Sequence, residues 1–517
     1  MVLLLALALR LPGYGESVWI DELYTSDLFC GQPIVLFKTL YSDIHPPAYF
    51  LFIHVWNRVF GDGELWLRLP ALLSGLFSIC LAGHLASRYL GRGGGLMAAL
   101  LLACSPVHIW YSQEARPYST GVFLVLAALA GREAWSSNPK SKLFALGFGI
   151  SLLGAVFLHY YLAVFAILFC VHALWTRGGA WRGIAGTSVL CLGLLGIYMT
   201  GKLYFSDVPT AKGYLRAFDL AELWKLGAEW FLSGKVLHPV GESGWLGGWL
   251  QAGLQVLAVP VFLRGLWRLA RSGAGLLLAA MACLPLFLFS LQLAGLDQTY
   301  IERSALPSLP LFWMVMAAGL TGWRSAAARK ITWSASGLAI GLVLAAYFSR
   351  GDAWTVYKPN PDWRTAAAWL GENLDSDKVQ VMASDYVSPT ALSYYDERIQ
   401  EAKNFDTNTA KIEGLLSKAS DLFGSEGFPG AAIQGFLKGQ VQQYADYLEA
   451  LRVGTLIEVH ELAPMADPEI QALDADFLLV YGEPSTRAKA ILSRPDVEVL
   501  RSRSFRSLTL YCLKSNP

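Results

Sequence analysis

Residues 143–176 read LFALGFGISLLGAVFLHYYLAVFAILFCVHALWT, 34 positions without a single Asp, Glu, Lys or Arg. About 20 apolar residues suffice to carry a helix across a bilayer, so one helix of this length would overshoot it. The polar triplet His159-Tyr160-Tyr161 interrupts the run near its middle. The stretch therefore predicts two membrane helices joined by a tight turn, and with it a polytopic α-helical membrane protein.

Working outward, comparable apolar runs lie near 65–87, 94–111, 118–134, 183–200, 248–266, 275–295, 304–322 and 331–349. Met1 to Leu9 is apolar but too short to span, and Arg10, Pro12 and Gly13 stop it. It lacks the basic start and small-residue cleavage site of a signal peptide. It is read as a first helix that is short or begins upstream of Met1, which brings the expectation to about 11 transmembrane helices.

Composition agrees. Hydrophobic residues make up 54% of the 517 and charged residues only 16%, with mean hydropathy +0.40; a soluble domain carries about 25% charged residues. An aromatic share of 13% is the reverse of a disordered composition. Lys+Arg and Asp+Glu stand at 41 and 40, so there is no basic excess for a nucleic acid. Seven cysteines with no C-x-x-C pair exclude a disulfide scaffold, a zinc ribbon and a thioredoxin motif.

The charges divide unevenly. Residues 1–349 hold 24 basic and 16 acidic side chains; residues 350–517 hold 17 and 24. This predicts a transmembrane domain over 1–349, with long outer-face loops at 11–64 and 201–247, and a soluble α/β domain over 350–517. Short loops at 88–93, 132–142, 177–182, 264–271 and 323–330 carry 13 of the 24 basic residues and one acid, Glu133. The positive-inside rule puts these loops in the cytoplasm. The long loops and the C-terminal domain are then extracytoplasmic, periplasmic in a cell with two membranes. Ala48 to Phe60 and Leu220 to Leu232 are amphipathic and suit helices lying at the headgroup level. In the C-terminal domain, helices are expected at 362–373, 442–452 and 485–493, and strands at 379–383, 477–481, 497–502 and 507–513.

Four motifs fall on the outer side. Ser17-Val18-Trp19-Ile20-Asp21-Glu22 places adjacent carboxylates after the first apolar segment. On a helix they diverge by about 100°, so one can face a cavity while the other braces it; a helix N-terminus would also favour such a pair. Asp43-Ile44-His45-Pro46-Pro47 puts His45 just before a helix start. Tyr111-Ser112-Gln113-Glu114-Ala115-Arg116-Pro117-Tyr118 joins two spans and contains a charged pair beside aromatics. Thr299-Tyr300-Ile301-Glu302-Arg303-Ser304 enters a span from outside, with Arg303 where a lipid phosphate would sit. Interfacial anchoring is the structural alternative for the last two.

Together these motifs, with Leu306-Pro307, Lys358-Pro359 and Pro361-Asp362-Trp363-Arg364, resemble the GT-C fold membrane glycosyltransferases that use polyprenyl-phosphate sugars. The likeness is nearest to the protein O-mannosyltransferases, the aminoarabinose transferases of lipid A and the RgtA/B/C/D-like transferases. It covers roughly residues 1–375 and names no substrate. The short first helix and Glu302-Arg303-Ser304, where many relatives have an aromatic after the arginine, depart from the family pattern.

The resemblance implies a polyprenyl-phosphate-sugar donor, an acceptor hydroxyl on a protein, lipid or glycan, contact with membrane lipids, and no nucleic acid. It implies Asp21 as general base of an inverting displacement, with Arg116 and Arg303 binding the donor phosphate. Glu22, His45, Glu114 and Tyr118 are implied as supporting residues. A divalent metal ion is among the cofactors it allows, with Glu22, His45 and Glu114 as candidate ligands. A polysaccharide ligase or polymerase using a pyrophosphate-linked glycan, and a transporter of lipid-linked sugars, stand as alternatives.

Overall fold

The computed structural model describes residues 1–27, 45–205, 216–237, 245–296, 300–349, 361–372, 379–383, 388–395, 399–401, 457–461, 477–481, 486–494, 497–505 and 508–515. The chain forms two compact units. One comprises Met1–Gly15, Asp43–Phe52 and Leu65–Pro359; the other comprises Glu16–Ser42, Ile53–Glu64 and Asn360–Pro517.

The first unit is helical. Helix α1 (Val2–Arg10) is short and ends on a buried arginine, whose guanidinium donates to the carbonyls of Ala6 (2.8 Å) and Ala103 (3.1 Å) and lies 2.7 Å from His108 Nδ1. Among the described residues, five helices are long and apolar enough to cross a membrane: Glu64–Ala103, Trp181–Tyr204, Gly248–Arg271, Gly275–Leu293 and Ala326–Ser349. The 143–176 stretch folds into two helices (Lys142–Val156 and Ala163–Thr176) around a 3-10 turn at Tyr160–Leu162. The amphipathic stretch 48–60 is a helix, Ala48–Phe60.

Three spans differ from expectation. Runs 65–87 and 94–111 are joined, with Gly91 (φ 72°, ψ 179°) breaking the helical path inside Glu64–Ala103; only glycine adopts that conformation without strain. The run then stops at Ala103, because Pro106 favours an extended Ser105 and opens a separate short helix, Pro106–Tyr111. Run 304–322 is a 3-10 helix (Glu302–Ser308) followed by an α-helix, Leu309–Leu320, buried except at its last residue. Pro307 and Pro310 remove the donors a continuous α-helix would need there.

Helix Leu309–Leu320 packs backbone to backbone on Trp245–Arg271. A Cβ at Gly265 would overlap the carbonyl of Val315, and one at Gly319 the carbonyl of Val261. Small residues permit this approach where dispersion rather than the hydrophobic effect drives helix association.

The second unit contains a six-stranded sheet in the order β2-β3-β1-β4-β6-β5, where β1 is Val379–Ala383, β2 Ile399–Glu401, β3 Ile457–Glu461, β4 Phe477–Tyr481, β5 Val497–Phe505 and β6 Leu508–Ser515. The first four are parallel, and β6 and β5 are antiparallel additions. Residues 477–480 are all buried, as in a strand covered on both faces. Helix Trp363–Glu372, expected at 362–373, buries Trp363, Ala366, Ala367, Trp369 and Leu370. Helix Ser388–Tyr395 and strands β2 and β3 had no sequence signal strong enough to place them. The helix expected at 442–452 lies outside the described residues.

Candidate active site

In the first unit the site begins with Arg116. It precedes a proline, which holds it extended (φ −132°, ψ 161°) as the N-cap of helix Pro117–Ser137. Its side chain is buried. Before it, Gln113 Nε2 donates to the carbonyls of Arg10 (2.7 Å) and Pro12, tying the hairpin to the first helix. The Glu114 carboxylate accepts a hydrogen bond from Trp110 Nε1 at 3.0 Å.

Tyr118, in the first turn of that helix, lies under Arg303, with the guanidinium carbon 5.5 Å from the ring centre. This is cation–π distance. From Tyr118 an aromatic seam runs both ways. On one side are Tyr111 (5.2 Å between centroids) and Trp230, 6.1 Å further on. On the other are His159 (6.5 Å) and His45, 5.6 Å from His159. Ala48 N–H donates to Phe157 O at 2.9 Å, which fixes the start of helix Ala48–Phe60 beside the 157–159 turn.

His159 Nδ1 accepts from Tyr161 N–H at 3.3 Å. Burial pushes this imidazole down to about 3, and the positive fields of His45, Arg303 and Arg116 push the same way. The ring is therefore neutral at physiological pH, within the field of both arginines. Lys202 adds a further buried cation, its ammonium 5.5 Å from the centre of the Tyr160 ring.

Glu302 is bound elsewhere. Its Oε1 accepts from Lys235 Nζ at 2.9 Å and from Arg216 Nη2. Burial alone would raise this carboxyl; the hydrogen bonds from Arg216 and Lys235 outweigh it and hold it at about 2. Reciprocal backbone bonds between Arg216 and Tyr300 (2.8 and 3.0 Å) join the two segments. So Glu302 faces Arg216 and Lys235, and Arg303 faces Tyr118.

An apolar cavity of about 530 Å³ opens beyond the 3-10 helix that starts at Glu302. Ser308, at the helix end, lines it with Phe312, Phe262, Ala258, Leu286 and Trp224. Its wall includes a π-helical turn, Leu226–Phe231, which also carries Trp230 of the aromatic seam. Gln251 Nε2 donates to the Ala228 carbonyl there at 2.7 Å.

The acidic pair belongs to the second unit. Helix Ile20–Asp27 starts with Asp21 and Glu22 in its first turn. Glu22 is buried, and its Oε2 accepts from Trp19 N–H at 3.2 Å, half of a capping box. Asp21 is half-buried. Glu22 thus braces the helix start.

His45, Arg116, Tyr118 and Arg303 are gathered within the first unit, with Glu114 on the same hairpin; Asp21 and Glu22 lie in the second. Among the described residues, no three of His, Cys, Asp and Glu converge as metal ligands. Sequence reasoning passed over His159, Lys202 and Trp230. His159 was visible as the interruption of an apolar run; the other two had no distinguishing signal.

Comparison with known proteins places this architecture. Residues 44–203 match the family model of dolichyl-phosphate-mannose-protein mannosyltransferases. The crystal structure of ArnT from Cupriavidus metallidurans bound to undecaprenyl phosphate superimposes with TM-score 0.52 at 12% identity, over 99% of this chain and 97% of that one. Its apo form gives 0.51 at 13% identity, over 99% and 96%. The oligosaccharyltransferase AglB from Archaeoglobus fulgidus, in complex with an inhibitory peptide and a dolichol-phosphate, gives 0.48 at 12% identity, over 93% and 68%. No curated protein matches the chain in sequence. The chain has the fold of ArnT, the GT-C fold that its motifs resemble.

Proposed function

We propose that this protein transfers a sugar from a polyprenyl-phosphate donor to an acceptor hydroxyl at the outer face of a cell membrane, the inner membrane where there are two. The observation that carries the reading is Arg303 stacked on Tyr118, one 3-10 helix away from a 530 Å³ apolar cavity. A cation with a planar donor fork suits a phosphate, and an adjoining apolar cavity suits the isoprenoid chain attached to it. Undecaprenyl phosphate bound to ArnT supports the same donor class.

In this reading Asp21 is the general base. It takes the proton of the acceptor hydroxyl as that oxygen bonds to the anomeric carbon, and the bond from that carbon to the phosphate oxygen breaks with its electron pair leaving on the phosphate. Arg303 and Arg116 stabilise the charge that develops there. One carboxylate serves a single inverting displacement. Glu22 braces the helix that carries the base, His45 and Tyr118 shape the donor site, and Glu114 fixes the hairpin through Trp110.

The test is release of free polyprenyl phosphate by purified protein in liposomes given a panel of polyprenyl-phosphate sugars together with a cell-envelope extract supplying protein, lipid and glycan acceptors, with Asp21→Asn alongside. Release by the wild type and none by a folded variant is expected. Equal release by both removes Asp21 from the role; no release from any donor overturns the reaction class and favours the pyrophosphate-linked ligase.

A further inference from the structure

The acid-bearing segment is held by residues more than 300 positions away in the chain. Tyr395, the last residue of helix Ser388–Tyr395, uses its hydroxyl twice: it accepts from Val18 N–H at 2.8 Å and donates to Glu64 Oε1. The other oxygen of Glu64 accepts from Arg364 Nη2. Arg364 itself lies 5.9 Å from the Tyr395 ring centre. The adjacent Tyr394 donates to the carbonyl of Asp62 at 2.6 Å. Val18 and Leu23 are buried on either side of Asp21. All of these residues belong to the second unit.

We infer that Tyr395, Glu64 and Arg364 are positioning residues for Asp21, holding the Val18–Leu23 segment against helix Ser388–Tyr395 so that the carboxylate is set before donor and acceptor arrive. This rests on the reading of Asp21 as base. It gives the C-terminal domain a part in turnover whether or not that domain also recognises the acceptor. Chemistry of this kind tolerates little misplacement, with about 1 Å costing on the order of 100-fold. The arrangement is economical of groups: a tyrosine hydroxyl is both donor and acceptor, so a single atom links a backbone amide to a carboxylate.

Tyr395→Phe keeps the ring and removes the link. Glu64→Gln disturbs it from the other side with the tyrosine in place, and serves if the first variant folds poorly. Each is to be assayed with the polyprenyl-phosphate sugar that supports wild-type turnover, and amide hydrogen exchange is to be followed on the same samples. The expected result is a kcat lower by about 10- to 100-fold, a donor KM within about two-fold, and faster exchange confined to residues 18–23, with the double variant no worse than the worse single one. Wild-type kcat and exchange would overturn the inference. So would a general loss of protection that includes β1 and β4, since that marks a structural role only. Asp21→Asn in the same assay separates the two claims: if it stays active, the proposed base is lost, while the exchange data still decide whether Tyr395 holds the segment.

Discussion

The guanidinium of Arg303 stands 5.5 Å from the centre of the Tyr118 ring, although 185 positions separate the two in the chain. The ring faces a cation on one side and packs among Tyr111 and His159 at its edges. The ring thus helps to fix where the positive charge of Arg303 sits.

Arg303→Ala is expected to raise the donor KM by about 10- to 100-fold, from the loss of charge-assisted hydrogen bonds to phosphate worth about 1.5–3 kcal/mol. Arg303→Lys is expected to recover only part of this, because an ammonium lacks the planar fork and stacks less well. Donor titration under single-turnover conditions checks both, and an unchanged KM in the alanine variant excludes the phosphate role.

Filling the apolar cavity discriminates by chain length. Ala258→Trp places an indole among Phe262, Phe312 and Leu286. The KM for a long-chain polyprenyl donor is expected to rise at least about ten-fold, since each excluded methylene forfeits about 0.8 kcal/mol. The KM for a short-chain water-soluble analogue should stay within a factor of about two. Parallel increases for both donors would place the isoprenoid elsewhere.

The Glu302 network makes stability depend on acid pH. Its folded carboxyl lies at about 2, below the ordinary value of 4.5. A depressed carboxylate stabilises the fold fully above its unfolded pKa, and that contribution is lost as pH falls from about 4.5 towards 2. Thermal midpoints measured from pH 6 to pH 3 should fall more steeply for the wild type than for Glu302→Gln. Parallel curves would show that the pairs with Arg216 and Lys235 contribute nothing to stability.

Gly265→Ala and Gly319→Ala should each destabilise the first unit by about 1–3 kcal/mol, as overpacking does. Gly253→Ala and Gly341→Ala meet nothing within 4 Å and serve as neutral controls. Thermal unfolding in detergent reads the difference, and equal midpoints for all four would mean that the two helices can move apart at no cost.

What the sequence revealed follows from how local each signal is. The 143–176 interruption, the helix Ala48–Phe60 and the strand Phe477–Tyr481 rest on patterns a few residues long, and each appears at the expected place. Strand β3, Ile457-Glu458-Val459-His460-Glu461, alternates apolar and charged residues too briefly to stand out. The partners of Glu302 and the closeness of Gly265 to Val315 depend on which segments meet, and no periodicity encodes that. For the same reason Tyr395 looked like one tyrosine among many, and its bond to Val18 was out of reach.

That bond also orders events during synthesis. Val18 and Tyr395 are 377 residues apart. At a translation rate of about 5–20 residues per second, the tyrosine emerges ~20–75 s after its partner. Throughout that interval the N-terminal segment lacks the helix that holds it, while the helices encoded between the two are already being made. On the proposed reading of Asp21 as base, a chain truncated before Tyr395 would carry its membrane helices without the bond that seats the base-bearing segment.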